Sequence, residues 1–198
     1  MIKKAFANFI IKRTFAAKLR NKGMNTFSNF EILKSIRTSA ELKRTEENRP
    51  HEVMYFHKVD DPYSHLAIQY IDKLQESFDI SFQAILVGEE NSDAVHEPSL
   101  YSTYCLEDAK RIAPFFGVEF SAESYPSAEL VIKSNKILTA VDTLNFAEVA
   151  KKVSSALWSG NESILDDLSR EYSSTDQEVL NKLESGNLLR NCLLYTSD

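Results

Sequence analysis

The chain has 198 residues, of which 43% are hydrophobic and 11% are aromatic, and its formal net charge is −6. This length and composition indicate a globular protein of one domain, with or without an appendage, and they exclude a disordered chain. No run of eighteen apolar residues occurs, so the sequence predicts no membrane-spanning helix.

The net charge is unevenly distributed along the chain. Up to Arg44 there are eleven Lys or Arg against Glu31 and Glu41, a balance of +9, so the remainder carries −15. A basic arm of this kind can contact nucleic acid, anionic lipid or the acidic body of its own chain, although most such helix faces are only solvated or paired internally. We expect no nucleic-acid partner, and a weak contact with a membrane surface or a partner protein through the arm.

Residues 1–50 are predicted to form this basic helical extension. The spacing of apolar residues favours helices over 2–22 and 28–46, and Gly23 and Asn25 supply a stop between them. Two cations interrupt the first apolar run, so it does not read as a secretory signal, and we expect a cytoplasmic location.

A strand–helix–strand unit is predicted over about 52–88. Residues 52–57 and 80–87 are short apolar runs of strand length, and Asp61-Pro62 supplies an N-cap and a first helical residue for the segment that ends near Ser77. The order strand, helix, strand indicates a parallel βαβ unit. The helical residues expected to face the core are Leu66, Tyr70, Ile71 and Leu74.

The sequence beyond this unit predicts a large helical insertion over about 99–187. An acidic, polar loop over 88–98 leads into a helix that ends at Gly117, with Tyr104, Ala109 and Ile112 expected to face inward. Further helical segments are predicted over about 127–157, 161–168 and 175–187. The fold class is therefore α/β and rich in helix.

A family resemblance is carried by Asp61-Pro62-Tyr63-Ser64-His65-Leu66. This segment resembles the Ser-Pro-Tyr-Ser-Tyr-Leu stretch of 2-hydroxychromene-2-carboxylate isomerases and kappa-class glutathione transferases, in the DsbA-like branch of the thioredoxin superfamily. Residues 104–113, with an Asp-Ala-x-Arg-x-Ala pattern, and 156–160 are similar to two later segments of that family. The resemblance implies an incomplete thioredoxin-like fold over 51–191.

Two positions depart from the family pattern. Asp61 stands where the family has serine, or cysteine in its redox members, and Ser64 stands where the second redox cysteine would be. With no sulfur at either position, and with Cys105 and Cys192 outside any CxxC motif, dithiol oxidoreductase activity is not expected. The resemblance implies glutathione as a cofactor, but an Asp61 carboxylate cannot donate a hydrogen bond to its thiolate and repels that anion.

Five side chains near the predicted helix start are candidate site residues. Asp61 and Ser64 are candidate catalytic groups, and Tyr63, His57 and His65 are candidate substrate-binding groups. A structural explanation also exists for Asp61, since an N-cap aspartate stabilises a helix by about 0.5–2 kcal/mol without any chemistry. Their spacing matches no ligand motif, so no metal site is predicted.

Two functions of different classes follow. The first is an isomerase-like or transferase-like enzyme acting on a small conjugated anion, with Asp61 as general base. The second is a non-catalytic binding module, a pseudoenzyme that kept the scaffold and lost its nucleophile. A small-molecule substrate and a dimer are both compatible with the resemblance.

The last seven residues, Cys192 to Asp198, match the translation of a transposase sequencing adapter in one reading frame. We therefore expect 192–198 to be an artefact and the authentic sequence to be interrupted near Asn191. No antiparallel hairpin of a thioredoxin fold is readable before Asn191. The expectation is a fragment with a two-stranded sheet and one exposed parallel edge.

Overall fold

The computed structural model describes residue 15 and residues 17–26, 28–89 and 97–196, with the backbone alone for 194–196. Most of the helix predicted over 2–22, much of the loop predicted over 88–98 and the last two residues lie outside these ranges. The chain consists of two compact units, Met1–His51 and Glu52–Asp198, and most contacts between residues lie within one unit or the other.

The first unit contains two helices among its described residues. Helix α1 covers 17–26 and helix α2 covers Phe30–Glu46. The prediction that Gly23 ends the first helix is wrong: α1 continues through it, because a helix interior tolerates a single glycine at a cost of about 1 kcal/mol. Asn29 caps α2 by accepting hydrogen bonds from the backbone N–H groups of Glu31 and Ile32.

The predicted strand–helix–strand unit is present. Strand β1 covers His51–His57, helix α3 covers Pro62–Ser77 and strand β2 covers Ile80–Leu86. The two strands form a two-stranded parallel sheet, within a mixed α/β and mostly helical architecture. Of the four α3 residues expected to face the core, Leu66 and Ile71 are buried and the other two are half-buried.

Five further helices follow in the described part of the chain. They are α4 (Pro98–Phe116), α5 (Ala128–Ala140), α6 (Phe146–Ser159), α7 (Glu162–Glu171) and α8 (Asp176–Thr196). Gly117 ends α4 in a left-handed conformation (φ 63°), as its sequence predicts.

The helix predicted over 127–157 is instead two helices, α5 and α6. The chain turns between them because the Asp142 carboxylate accepts hydrogen bonds from the backbone N–H groups of Leu144 and Asn145 and from the Asn145 side chain. An Asp side chain that bonds backbone groups two and three residues ahead competes with helix continuation.

The expected inward position of Tyr104 is also wrong. Its side chain is exposed, whereas Cys105, Leu106 and Ala109 face the core. The buried stripe of α4 therefore begins one residue later than the sequence pattern indicated.

The hydrophobic core lies where α3, α5, α6 and α7 pack together, and Leu86 joins it from β2. Helix α6 contributes most, with eight buried residues: Phe146, Val149, Ala150, Val153, Ser154, Ala156, Leu157 and Trp158. At about 25 cal/mol per Å² of buried apolar surface, such a helix supplies a large share of the driving force for folding. This packing joins α3 to α6.

The outer edge of β2 is partly covered. The Val87 N–H donates to His57 O on β1, so the alternate residues Leu86 and Gly88 point their polar backbone groups away from β1. There Gly186 of α8 lies so close that a Cβ atom would fall 2.0 Å from Leu86 O, and Gly88 N–H donates to Asn187 Oδ1 (3.1 Å). The expectation of an exposed strand edge is therefore corrected at the carboxyl end of β2.

Candidate functional site

Asp61 acts as the N-cap of α3. Its Oδ2 accepts a hydrogen bond from Ser64 N–H at 2.6 Å, and Pro62 occupies the first turn, where a missing N–H costs nothing. Burial raises the pKa of the Asp61 carboxyl, while its hydrogen bonds from Ser64 act in the opposite direction. The carboxylate is thus already engaged with the helix that it begins.

Ser64 is buried and turned into the protein. Its Oγ accepts a hydrogen bond from the backbone N–H of Lys58 (3.3 Å), and its own carbonyl accepts one from the Tyr55 hydroxyl (2.9 Å). With 7% of its surface exposed, Ser64 does not offer its hydroxyl to solvent. It ties the loop after β1 to the first turn of α3.

His57 is 1% exposed at the end of β1, and its hydrogen bonds define its tautomer. Since the Ser64 carbonyl can only accept, the Tyr55 hydroxyl donates to it, and His57 Nδ1–H therefore donates to the Tyr55 oxygen at 2.8 Å. Nε2 is then the unprotonated nitrogen, and it has no hydrogen-bond partner among the described residues. Burial, followed by repulsion from His65, lowers the pKa of His57 to about 3.

His65 belongs to a second internal network. The Gln69 side-chain amide makes two hydrogen bonds with the backbone of Glu119. Its Oε1 accepts from the Glu119 N–H (3.0 Å), and its Nε2 donates to the Glu119 carbonyl (2.9 Å). These two bonds define the orientation of the amide. Gln69 Nε2 therefore also donates to His65 Nε2 (3.1 Å), and His65 Nδ1–H donates to Ser154 Oγ (2.7 Å). A histidine that donates to a serine cannot take its proton, so this pair is not an activated nucleophile.

The same histidine is packed among aromatic rings. Its ring centroid lies 5.6 Å from that of Phe120 and 5.9 Å from that of Trp158. Burial lowers the pKa of His65 to about 4, so the ring is neutral at physiological pH. His65 thus links α3 to α6 within the core.

Tyr63 differs from the other four candidates because it faces a groove. Its hydroxyl donates to Asp108 Oδ2 of α4 at 2.7 Å. Burial, together with this hydrogen bond to Asp108, raises the pKa of Tyr63, so the hydroxyl stays protonated. The ring is left as part of the groove wall.

The groove, here called the aromatic groove, has a volume of about 330 Å³ and lies between the sheet, α3 and α4. This volume is at the lower end of the range for small-molecule sites. Its lining is apolar and rich in aromatic rings: Val53, Met54, Tyr55, Tyr63, Leu66, Ala67, Tyr70, Ile71, Leu74, Phe82, Ile112 and Phe116. It is suited to a flat apolar ring.

A second cleft lies between α5, α8 and the segment that joins α7 to α8. This polar cleft has a volume of about 540 Å³ and is more open than the aromatic groove. Its lining is mostly polar: Thr139, Ala140, Ser173, Ser174, Glu178, Asn181, Lys182 and Ser185.

Sequence reasoning identified the start of α3 but missed the partners that define it. Tyr55, Asp108 and Ser154 were not singled out, although each makes a hydrogen bond to a candidate residue. Two of these bonds join residues 45 and 89 positions apart, and no local sequence pattern signals such contacts. Tyr55 could have been found, since it lies two residues before His57 on the same face of β1.

Cys105 is a buried free thiol, and Cys192 is exposed. Among the described residues, no group of three or more His, Cys, Asp or Glu is placed to hold a metal ion. None of the described helices is long and apolar enough to cross a membrane. Family models, curated proteins and solved structures were compared with the chain, and none of them matches it.

Proposed function

We propose that this chain is a non-catalytic binding module on a DsbA-like, thioredoxin-type scaffold, and that it binds a small planar conjugated compound in the aromatic groove. One observation carries the proposal. The polar side chains at the start of α3 are committed to internal hydrogen bonds, while the neighbouring groove is open and apolar.

The commitment of these groups argues against the usual chemistries of the resembling families. Disulfide exchange needs a thiolate at the helix start, and Asp61 and Ser64 have no sulfur. Activation of glutathione needs a donor there, and Asp61 already accepts the Ser64 N–H as the helix cap. Without disulfide exchange and glutathione activation, ligand binding is the function that we propose the scaffold retains.

The walls of the groove favour an aromatic ligand. Five rings, those of Tyr55, Tyr63, Tyr70, Phe82 and Phe116, contribute to its lining. Rings pack favourably against rings in offset or edge-to-face geometry, for about 0.5–1.5 kcal/mol beyond the area buried. The Tyr55 and Tyr63 hydroxyls bond internally and leave the groove with little hydrogen-bonding capacity.

The proposal is tested by titrating the full chain with N-phenyl-1-naphthylamine, a neutral probe whose fluorescence rises in an apolar site. We expect saturable binding that Ala67→Phe removes, because the larger side chain fills the groove at a lining position. Ala128→Phe is the matched control, since Ala128 is exposed at the start of α5. Equal binding by the wild type and Ala67→Phe would show that the probe binds elsewhere.

An isomerase-like enzyme acting on a small conjugated anion is the second candidate. The observation that favours it is the raised pKa of Asp61, because a carboxyl with a raised pKa is a better general base near neutral pH. Asp61→Asn keeps the N-cap but cannot take a proton. Turnover of a chromene carboxylate that is lost in Asp61→Asn, without loss of stability, would favour the enzyme over the binding module.

A further inference from the structure

The first unit combines positive charge with exposed apolar side chains. Residues 1–51 contain twelve Lys or Arg and four Asp or Glu, a net charge of +8, and the first thirty residues contain no acidic residue. No described residue from 15 to 51 is buried. Seven large hydrophobic side chains there are between 38% and 69% exposed: Phe15, Leu19, Met24, Phe30, Ile32, Ile36 and Leu42.

Apolar and basic side chains alternate at Phe15 and along α1. Phe15 and Leu19 are four residues apart and therefore share one face of a helix. Lys18 and Lys22 follow them by three residues each, so their ammonium groups adjoin that face. Long lysine side chains in this position can keep their charge in water while an apolar neighbour enters a lipid layer.

The cations of α1 are not neutralised within the described part of the unit. Its ion pairs all lie between Glu41 and His51, where its acidic residues are concentrated. Lys18, Arg20 and Lys22 are outside any of these pairs. A helix with exposed apolar groups and unneutralised cations has the composition of an interfacial helix.

We propose that the first unit, through α1 and α2, binds the surface of an anionic lipid bilayer. Positive charge alone would equally suit a nucleic acid. The seven exposed hydrophobic side chains favour lipid, because phosphate groups offer them nothing to pack against. The partner is therefore a membrane surface that carries acidic headgroups.

Co-sedimentation of the full chain with vesicles tests this proposal. We expect binding to phosphatidylcholine vesicles that contain phosphatidylserine, little binding to phosphatidylcholine alone, and loss of binding in about 0.5 M salt, where charges are screened beyond a few Å. Lys18→Glu/Lys22→Glu should reduce partitioning at least about tenfold, because each cation near an anionic surface contributes separately. Phe15→Ser/Leu19→Ser should reduce it as well.

The matched control is Lys152→Glu/Arg170→Glu, which changes the net charge equally through two exposed residues of the second unit. Its vesicle binding should equal that of the wild type. Equal losses in both charge-reversed variants, or equal binding to neutral and anionic vesicles, would overturn the proposal. So would binding to double-stranded DNA that Phe15→Ser/Leu19→Ser leaves intact while vesicles are not bound, because nucleic acid would then be the partner.

Discussion

At the residue scale, Asp61 stabilises the start of α3. Its Oδ2 accepts the Ser64 N–H at 2.6 Å. We expect Asp61→Ala to lower the free energy of unfolding by about 0.5–2 kcal/mol, measured by urea denaturation, and to leave binding of the naphthylamine probe unchanged. Asp61→Asn is the control, because asparagine caps helices as well as aspartate does. Weaker probe binding at full stability would give Asp61 a direct role in the groove.

The two buried histidines make stability depend on pH. In the folded state the pKa of His57 is lowered to about 3 and that of His65 to about 4, from 6.5 in the unfolded chain. Below pH 6.5 the unfolded chain therefore binds protons that the folded protein does not, so stability is complete above pH 6.5 and falls as pH falls.

Denaturation between about pH 7 and pH 5, above the range where most carboxylates titrate, measures this effect. The free energy of unfolding should decrease toward low pH with a slope that approaches about 1.4 kcal/mol per pH unit for each histidine. His65→Gln should remove about half of the slope. A stability that stays flat over this range would show that His57 and His65 are exposed to water.

At the scale of elements, the sequence predicts α3 and its flanking strands almost to the residue. Asp61-Pro62 is a local signal for a helix start, and two apolar runs of strand length surround the helix. The break between α5 and α6 is missed because no glycine or proline marks it. There the Asp142 carboxylate turns the chain by accepting hydrogen bonds from the backbone N–H groups of Leu144 and Asn145. In a sequence, an aspartate is a weaker signal for a turn than a glycine or a proline.

The packing of α8 on β2 gives a prediction at the same scale. A Cβ at Gly186 would lie 2.0 Å from Leu86 O, a backbone atom that cannot move without shifting the strand. We expect Gly186→Ala to lower the free energy of unfolding by about 1–3 kcal/mol, the usual cost of overpacking. Gly23→Ala in α1 is the control, since its Cβ would meet nothing within 4 Å. Wild-type stability in Gly186→Ala would mean that α8 does not lie against β2.

At the scale of the whole molecule, the candidate site depends on contacts that no local pattern predicts. The sequence places His57, Asp61, Tyr63, Ser64 and His65 near one helix start, yet tertiary packing determines which of them reach a cavity. Four of them are tied into the protein, and only Tyr63 lines the aromatic groove. The groove itself is formed by residues from β1, β2, α3 and α4, so no single segment of the sequence predicts it.

We propose that the aromatic groove, and not the helix cap, is the functional part of this site. This proposal is tested most directly by recording amide NMR spectra of the ¹⁵N-labelled full chain while N-phenyl-1-naphthylamine is added. We expect shifts that cluster at 53–55, 66–74 and 112–116, three segments that line the groove. Shifts centred on Thr139, Asn181 and Ser185 of the polar cleft, or no saturable shifts, would contradict it.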